Sequence, residues 1–361
     1  MGERESADTT PPRPFREKLA RETEQSRNNA GRAADEHYVN QSNGSDHALR
    51  VLPPRAEGAR YELLERIGRG GTGDVYRARD RLHGERRDVC VKRLPNLVGA
   101  EHASSLREEA RLLGSVRHAN VVSLLDSGED EMGAPYLVLE LIEGQNLRHL
   151  CRAIDAADCD ARFECTGFLP DRLSVHVGCA LLRGLAAVQR ALPGIVHRDV
   201  TPHNVLVSNE GEVKLADFGI ALARDRARST GPCIVKGKLG YLSPEQARGE
   251  ELDPRSDLFA VGVLLYELLA KIRPWPAARG MPELRALERG DSVSLARLRP
   301  SLDASLVRVV ERMLSRDREL RPSTADDALR ALAPFSDGDL ASLRLTALIS
   351  RLAESRMKEG S

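Results

Sequence analysis

The sequence predicts an α+β protein of two lobes, a small antiparallel β-sheet lobe with one main helix followed by a larger, mainly α-helical lobe. Three observations carry this expectation. Short runs rich in β-branched and aromatic residues crowd residues 61–141. One stretch among them, 104–116, instead repeats Leu106, Ala110 and Leu113 at helical spacing. After Gly144 the apolar residues recur three and four positions apart over long segments.

Residues 1–56 are rich in Arg, Glu, Ser, Asn and Pro, poor in aromatics and without helical or strand period, so they read as a disordered leader. Two Asn-x-Ser triplets, starting at Asn40 and Asn43, match a glycan acceptor pattern that means little without a secretory route. The folded domain is expected over 57–334. Its small lobe covers 61–141, with strands at 61–67, 75–79, 89–94, 121–125 and 136–141 and the helix at 104–116. The join falls near 140–145. The large lobe, 145–334, carries helices at 173–192, 255–271, 302–315 and 325–332. A segment at about 150–170 reads as an insertion loop, and 335–361 as an amphipathic helical tail with Leu343, Leu345, Leu348, Ile349 and Leu352 on its apolar side.

Composition narrows the function classes. With 361 residues, 41% of them hydrophobic and 30% charged, the chain is long enough to bury a sizeable core. Lys plus Arg and Asp plus Glu balance at 54 each, so no long-range field recruits nucleic acid or an acidic membrane surface. The apolar run 258–266 is far short of the roughly 20 residues that cross a bilayer and reads as a core helix, so no membrane insertion is expected. The first residues hold no apolar stretch of the secretory kind, and the expectation is a cytoplasmic protein. The cysteines at 90, 151, 159, 165, 179 and 233 lack the spacing of a disulfide framework and are expected to be reduced. Cys151, Cys159 and Cys165 lie near His149 but form no tight Cys-x-x-Cys pair, which argues against a metal site.

The chemistry sits in a few spaced motifs. Ile67, Gly68, Gly70, Gly73 and Val75 fit G-x-G-x-x-G-x-V, where glycines let the backbone approach phosphate oxygens. The same spacing serves dinucleotide sites, but there the glycines open a helix, whereas β-type residues flank both sides here. Lys92 ends the apolar triplet Val89-Cys90-Val91, well placed to meet phosphates as a point charge. Glu109, sharing a helix face with Leu112, Leu113 and Val116, points inward as its ion-pair partner; its neighbour Glu108 does not.

The segment from Val196 to Asn204 reads V-H-R-D-V-T-P-H-N and is followed by an apolar strand and by Asp217-Phe218-Gly219. In order and spacing, these motifs resemble the protein kinase family from residue 61 to about 334. The wording H-R-D-V-T-P-H-N and Y-L-S-P-E-Q resembles the bacterial Ser/Thr kinases of eukaryotic type. The resemblance implies a bilobal protein-kinase-like fold that uses ATP and Mg2+ to phosphorylate a protein substrate. It casts Asp199 as catalytic base and Asn204 and Asp217 as magnesium ligands. It places Leu139 beside the adenine, the backbone of Glu140 and Leu141 as the hinge that bonds it, and Val75, Cys90 and Leu206 around the ring. Cys90 stands where the family usually has alanine. Ser243-Pro244-Glu245 and Arg321 stand where the family has its A-P-E motif and that glutamate's arginine partner.

Two positions depart from the pattern. Thr201 stands where the family has a lysine reaching the γ phosphate, and Lys238 stands where it has a threonine beside that lysine. The two residue types are exchanged, which suggests that Lys238 restores the missing cation while Thr201 supplies the hydroxyl contact. Arg198 implies control by a phosphate on the segment 220–242, with Ser229 and Thr230 as candidate acceptors. The alternative function class is a pseudokinase that binds nucleotide as a scaffold, and a tyrosine kinase is a third reading. The protein substrate and the oligomeric state are not legible in the sequence.

Overall fold

The computed structural model describes residues 51–52, 60–70, 73–82, 87–94, 100–131, 133–157, 168–217, 239–275, 286–287 and 289–359. The small lobe is a six-stranded antiparallel sheet formed by β1 (Val51–Leu52), β2 (Tyr61–Gly70), β3 (Gly73–Asp80), β4 (Arg87–Arg93), β5 (Leu124–Glu129) and β6 (Pro135–Glu140), in the order β1-β2-β3-β4-β6-β5. Helix α1 (Ala100–Leu113) lies against it. The face of α1 carrying Leu106 and Leu113 packs with Val116 on Leu94, Leu137 and Leu139, which fixes the inward direction of Glu109 on that face.

Three features of this lobe differ from the sequence expectation. Val51–Leu52 pairs with Glu62 and Tyr61, inside the stretch read as leader. The last small-lobe strands are β5 at Leu124–Glu129 and β6, not a strand at 121–125. Val121 instead makes an isolated bridge to Leu215 of the large lobe, and the Val122 amide donates to the Leu215 carbonyl at 3.0 Å. The start of the expected strand thus belongs to the joint between the lobes.

The large lobe begins with a second sheet, β7 (Gly144–Asn146), β8 (Val205–Ser208) and β9 (Val213–Leu215), in that order. Its helices are α2 (Leu147–Ala157), α3 (Asp171–Ala191), α4 (Pro244–Arg248), α5 (Arg255–Ala270), α6 (Leu295–Leu298), α7 (Ala304–Met313), α8 (Ala325–Leu332) and α9 (Leu340–Glu359). Helix α5 is apolar nearly all round and buried from Ser256 to Leu269, as such a helix must be. It packs on α3 through one continuous core. Local sequence sets the helix starts. Ser243 and Gln246 form a reciprocal capping box on α4, Asp303 caps α7, and Thr324 with Asp327 caps α8.

The first part of the expected insertion at 150–170 is helical, and residues 158–167 lie outside the described residues. Leu150, Cys151 and Ala153 are buried on α2, which runs to Ala157, because the helix supplies a face of the core. Cys159 and Cys165 lie outside the described residues. The tail forms α9, whose Ala341, Leu345, Leu348 and Ile349 join the core of the large lobe while Leu343 faces outward. No described helix is long and apolar enough to cross a membrane.

Candidate active site

The two lobes enclose a cleft of about 340 Å³. Strand register explains its lining. Residues two apart on a strand share a face. Cys90 and Lys92 on β4 therefore both line the cleft, across from Val75 of β3 and beside Leu139 of β6. Ile67, Glu140, Leu141, Leu206 and Asp217 complete the part that the sequence singled out. Burial pushes the Cys90 thiol up to about 12, so it meets the cleft as a small neutral group.

Gly68 pairs with Val75, and Gly70 with Gly73, so the glycine-rich segment folds as two strands bending back on each other. Gly73 has φ +132°, and a Cβ there would lie 2.6 Å from the Arg93 carbonyl oxygen, so only glycine lets β3 pass β4 so closely. The residues at the tip, Gly71 and Thr72, lie outside the described residues.

Lys92 is buried, and its Nζ donates to both oxygens of Glu109 at 2.9 and 3.0 Å and to Oδ1 of Asp217 at 2.8 Å. Burial disfavours the ammonium, but Asp217 and Glu109 overcome that and hold it charged, well above the usual lysine range. Glu108 instead takes Arg111 on the outer face of α1. The Asp217 side chain keeps about a third of its surface, 36%, open to the cleft.

The segment carrying Asp199 is held from below. Asp257, in the first turn of α5, accepts the backbone amides of His197 at 2.7 Å and Arg198 at 2.9 Å. Burial pushes the Asp257 carboxyl up to about 7, against those two donors. These contacts and the bond from Gln246 Nε2 to the Arg198 carbonyl (3.0 Å) hold Arg198 at φ +71°. Asp217 sits at φ +54°, so the two non-glycine residues in the left-handed region nearest the cleft flank the chemistry.

Asn204 Nδ2 donates to the Asp199 carboxylate at 2.8 Å and to its carbonyl at 2.9 Å. The Ala216 amide donates to the Asn204 carbonyl at 2.8 Å, which brings Asp217 beside Asn204. Thr201 is buried two residues beyond Asp199, and its hydroxyl has no hydrogen-bond partner among the described residues. Lys238, Ser229 and Thr230 lie outside the described residues. Further out, Glu245 takes Arg321 at 2.6 and 2.8 Å and Ser256 Oγ at 2.7 Å. Against the raising effect of burial, these donors pull the Glu245 carboxyl down to about 2.

Two arrangements were not anticipated. Asp257 stands just before the apolar run 258–266, and an acid at the edge of a core helix is a signal that buried amides need an acceptor. Lys214 Nζ reaches both oxygens of Glu140 at 3.0 and 2.9 Å, a pair separated by 74 residues with no local mark.

A cleft between a β lobe and a helical lobe, lined by a buried cation with acids beside it, defines the bilobal kinase-like class of fold. The chain belongs to the protein kinase family. The family profile described as "Protein kinase domain" matches residues 61–332. The chain is 36% identical over 296 residues to "Probable serine/threonine-protein kinase SCO3848" of Streptomyces coelicolor, covering 79% of this chain and 41% of that one. It is 34% identical over 284 residues to "Tyrosine-protein kinase MasK" of Myxococcus xanthus, covering 76% and 43%. It is 40% identical over 220 residues to "Serine/threonine-protein kinase PknL" of Mycobacterium tuberculosis, covering 60% and 51%. The chain therefore spans about half or less of the length of these relatives.

Proposed function

We propose that this chain is an ATP-dependent protein kinase that transfers the γ-phosphoryl group to a Ser or Thr hydroxyl of a protein. The observation that carries the reading is Lys92, whose single ammonium is shared by Glu109 and Asp217 at 2.8 to 3.0 Å. That geometry fixes a cation at the inner end of the cleft, where the α and β phosphates are expected. The adenine is assigned to the apolar part lined by Val75, Cys90, Leu139 and Leu206, with the Glu140–Leu141 backbone as its hydrogen-bonding edge.

The donor set fits a hard divalent ion: Asp217 offers carboxylate oxygen and Asn204, whose Nδ2 is turned to Asp199, offers its amide oxygen. Magnesium held by those two residues supplies neutralisation of charge on the transferring phosphates. Asp199 is assigned as the base that orients the substrate hydroxyl and accepts its proton, its carboxylate aimed by Asn204. The buried, unpartnered hydroxyl of Thr201 supports the exchange reading, in which Lys238 replaces the lysine missing at 201 and Thr201 gives the hydroxyl contact. Arg198 is assigned to receive a phosphate on Ser229 or Thr230. The free thiols of Cys90, Cys151 and Cys179 suit a reducing cytoplasm.

The test is incubation with labelled ATP and Mg2+, comparing the intact chain with Asp199→Asn, followed by phosphoamino-acid analysis. Phosphoserine or phosphothreonine formed only by the intact chain is the expected result. Nucleotide binding without transfer by either protein would move the reading to a scaffold. Phosphotyrosine would align the chain with the name carried by the Myxococcus xanthus relative.

A further inference from the structure

We propose that helix α9, which lies beyond the residues matched by the family profile, is a positioning element that holds the β8–β9 hairpin and, through it, Asn204 and Asp217. The profile match ends at residue 332, whereas α9 runs over Leu340–Glu359. Its Ala341, Leu345, Leu348 and Ile349 recur on one face and enter the same core as Val205, Val207 and Val213 of the hairpin. The segment before it is pinned as well: Arg344 pairs with Asp337 at 2.6 Å, and Arg172 of α3 reaches the Ser336 carbonyl at 3.3 Å.

The direct contact is at the hairpin turn. Gly211 has φ +79°, its amide donates to the Ser208 carbonyl at 3.0 Å, and the turn sits against the first turns of α9. A Cβ at Gly211 would overlap the Ser342 carbonyl oxygen and come within 2.9 Å of Thr346 Oγ1. Backbone meets backbone there with no room for a side chain, so the turn cannot move toward the helix. The hairpin transmits that restraint over a short distance. Asn204 precedes β8 directly, Asp217 follows β9 by one residue, and the Ala216 amide ties the two ends at the Asn204 carbonyl. Because the strands are short and fully paired (Val205 with Leu215, Val207 with Val213), a shift of the turn is passed to both ends.

The inference rests on the functional reading for its ligand arm but not for its structural arm. Two variants of the full chain test it: Gly211→Asn, because asparagine tolerates positive φ and so isolates the wedge against Ser342, and Leu345→Asp, which undocks α9 by placing a charge in its buried face. Amide hydrogen exchange needs no nucleotide. Peptides covering 205–215 are expected to exchange at least tenfold faster in both variants, while those of β3 and β4 keep the parent rate. Affinity for Mg·ATP is expected to weaken about tenfold, and that for adenosine, which does not use the metal ligands, by less than twofold.

Unchanged exchange at 205–215 in folded Gly211→Asn would overturn the proposal. So would equal loss of exchange protection in both lobes or equal weakening of both ligands, either of which marks general destabilisation. Failure of the parent chain to bind Mg·ATP would count against the functional reading, and the exchange result would still decide the role of α9.

Discussion

Lys214 of β9 donates to both carboxylate oxygens of Glu140 at the end of β6, at 2.9 and 3.0 Å, and Glu140 Oε1 also accepts the Ser123 amide at 2.8 Å. The strand that leads to Asp217 is thereby tied by side chains to the segment that joins the lobes. Removing one member of a mostly buried pair leaves the other charge poorly solvated, at a cost of about 1–3 kcal/mol. Lys214→Met is expected to lower the melting temperature and weaken ATP several-fold, and Lys214→Met with Glu140→Gln to recover part of both. Calorimetry on the two variants and on Glu140→Gln alone gives the coupling.

The Lys92 cluster has a pH signature. Burial pushes the Glu109 carboxyl above the ordinary range, and Lys92 is the group that opposes this. In Lys92→Met the opposing charge is gone, so the folded state retains a proton on Glu109 that the unfolded chain releases near pH 4.3. A raised folded-state pKa contributes stability at low pH that is lost as pH rises through it. Lys92→Met is therefore expected to show a melting temperature that falls from pH 5 towards neutrality relative to the parent. Adding Glu109→Gln should remove most of that dependence, and a flat difference in melting temperature would refute the assignment.

Glu245 has the opposite sign. Its carboxyl is held at about 2, below the unfolded value, so the pair with Arg321 stabilises the fold above about pH 4.5. That contribution, on the order of 3 kcal/mol, is lost as pH falls through 2. Arg321→Met, which strands Glu245 in the core, is expected to cost about 3–5 kcal/mol at neutral pH. Denaturant melts of the parent and variant from pH 2 to 7 should converge at the acid end.

Cys90 is expected to be a slow nucleophile despite lining the cleft. With its thiol at about 12, the thiolate fraction at pH 8 is about 10⁻⁴, roughly two thousandfold below that of an ordinary cysteine. Iodoacetamide labelling followed by peptide mass spectrometry should leave Cys90 largely unmodified while an equimolar small thiol is consumed. Cys90→Ala should bind ATP with nearly the parent affinity, since it exchanges one small neutral group for another.

Much of the fold was legible because its signals are local. Helical spacing at Leu106, Ala110 and Leu113 marked α1 and the inward direction of Glu109, and the all-apolar run around Val261 marked α5. Motif spacing located Ile67, Val75, Lys92 and Asp217, which line the cleft, and the resemblance supplied the Glu245–Arg321 pair. What escaped depends on partners far apart in sequence. The start of the 150–170 stretch reads as a loop because Leu150 and Cys151 gain their burial in a core drawn from distant parts of the chain, including α9, which local pattern does not reveal. The bridge from Val121 to Leu215 and the Lys214–Glu140 pair likewise exist only once the lobes meet.

Asp257 sits in the most enclosed helix of the large lobe and takes the amides of His197 and Arg198, whereas Lys92 belongs to the sheet above the cleft. The proposed base is thus anchored to bedrock and the proposed phosphate cation to a roof. Raising that roof would break the 2.8 Å contact between Lys92 and Asp217 while leaving Asp199 and Asn204 in register.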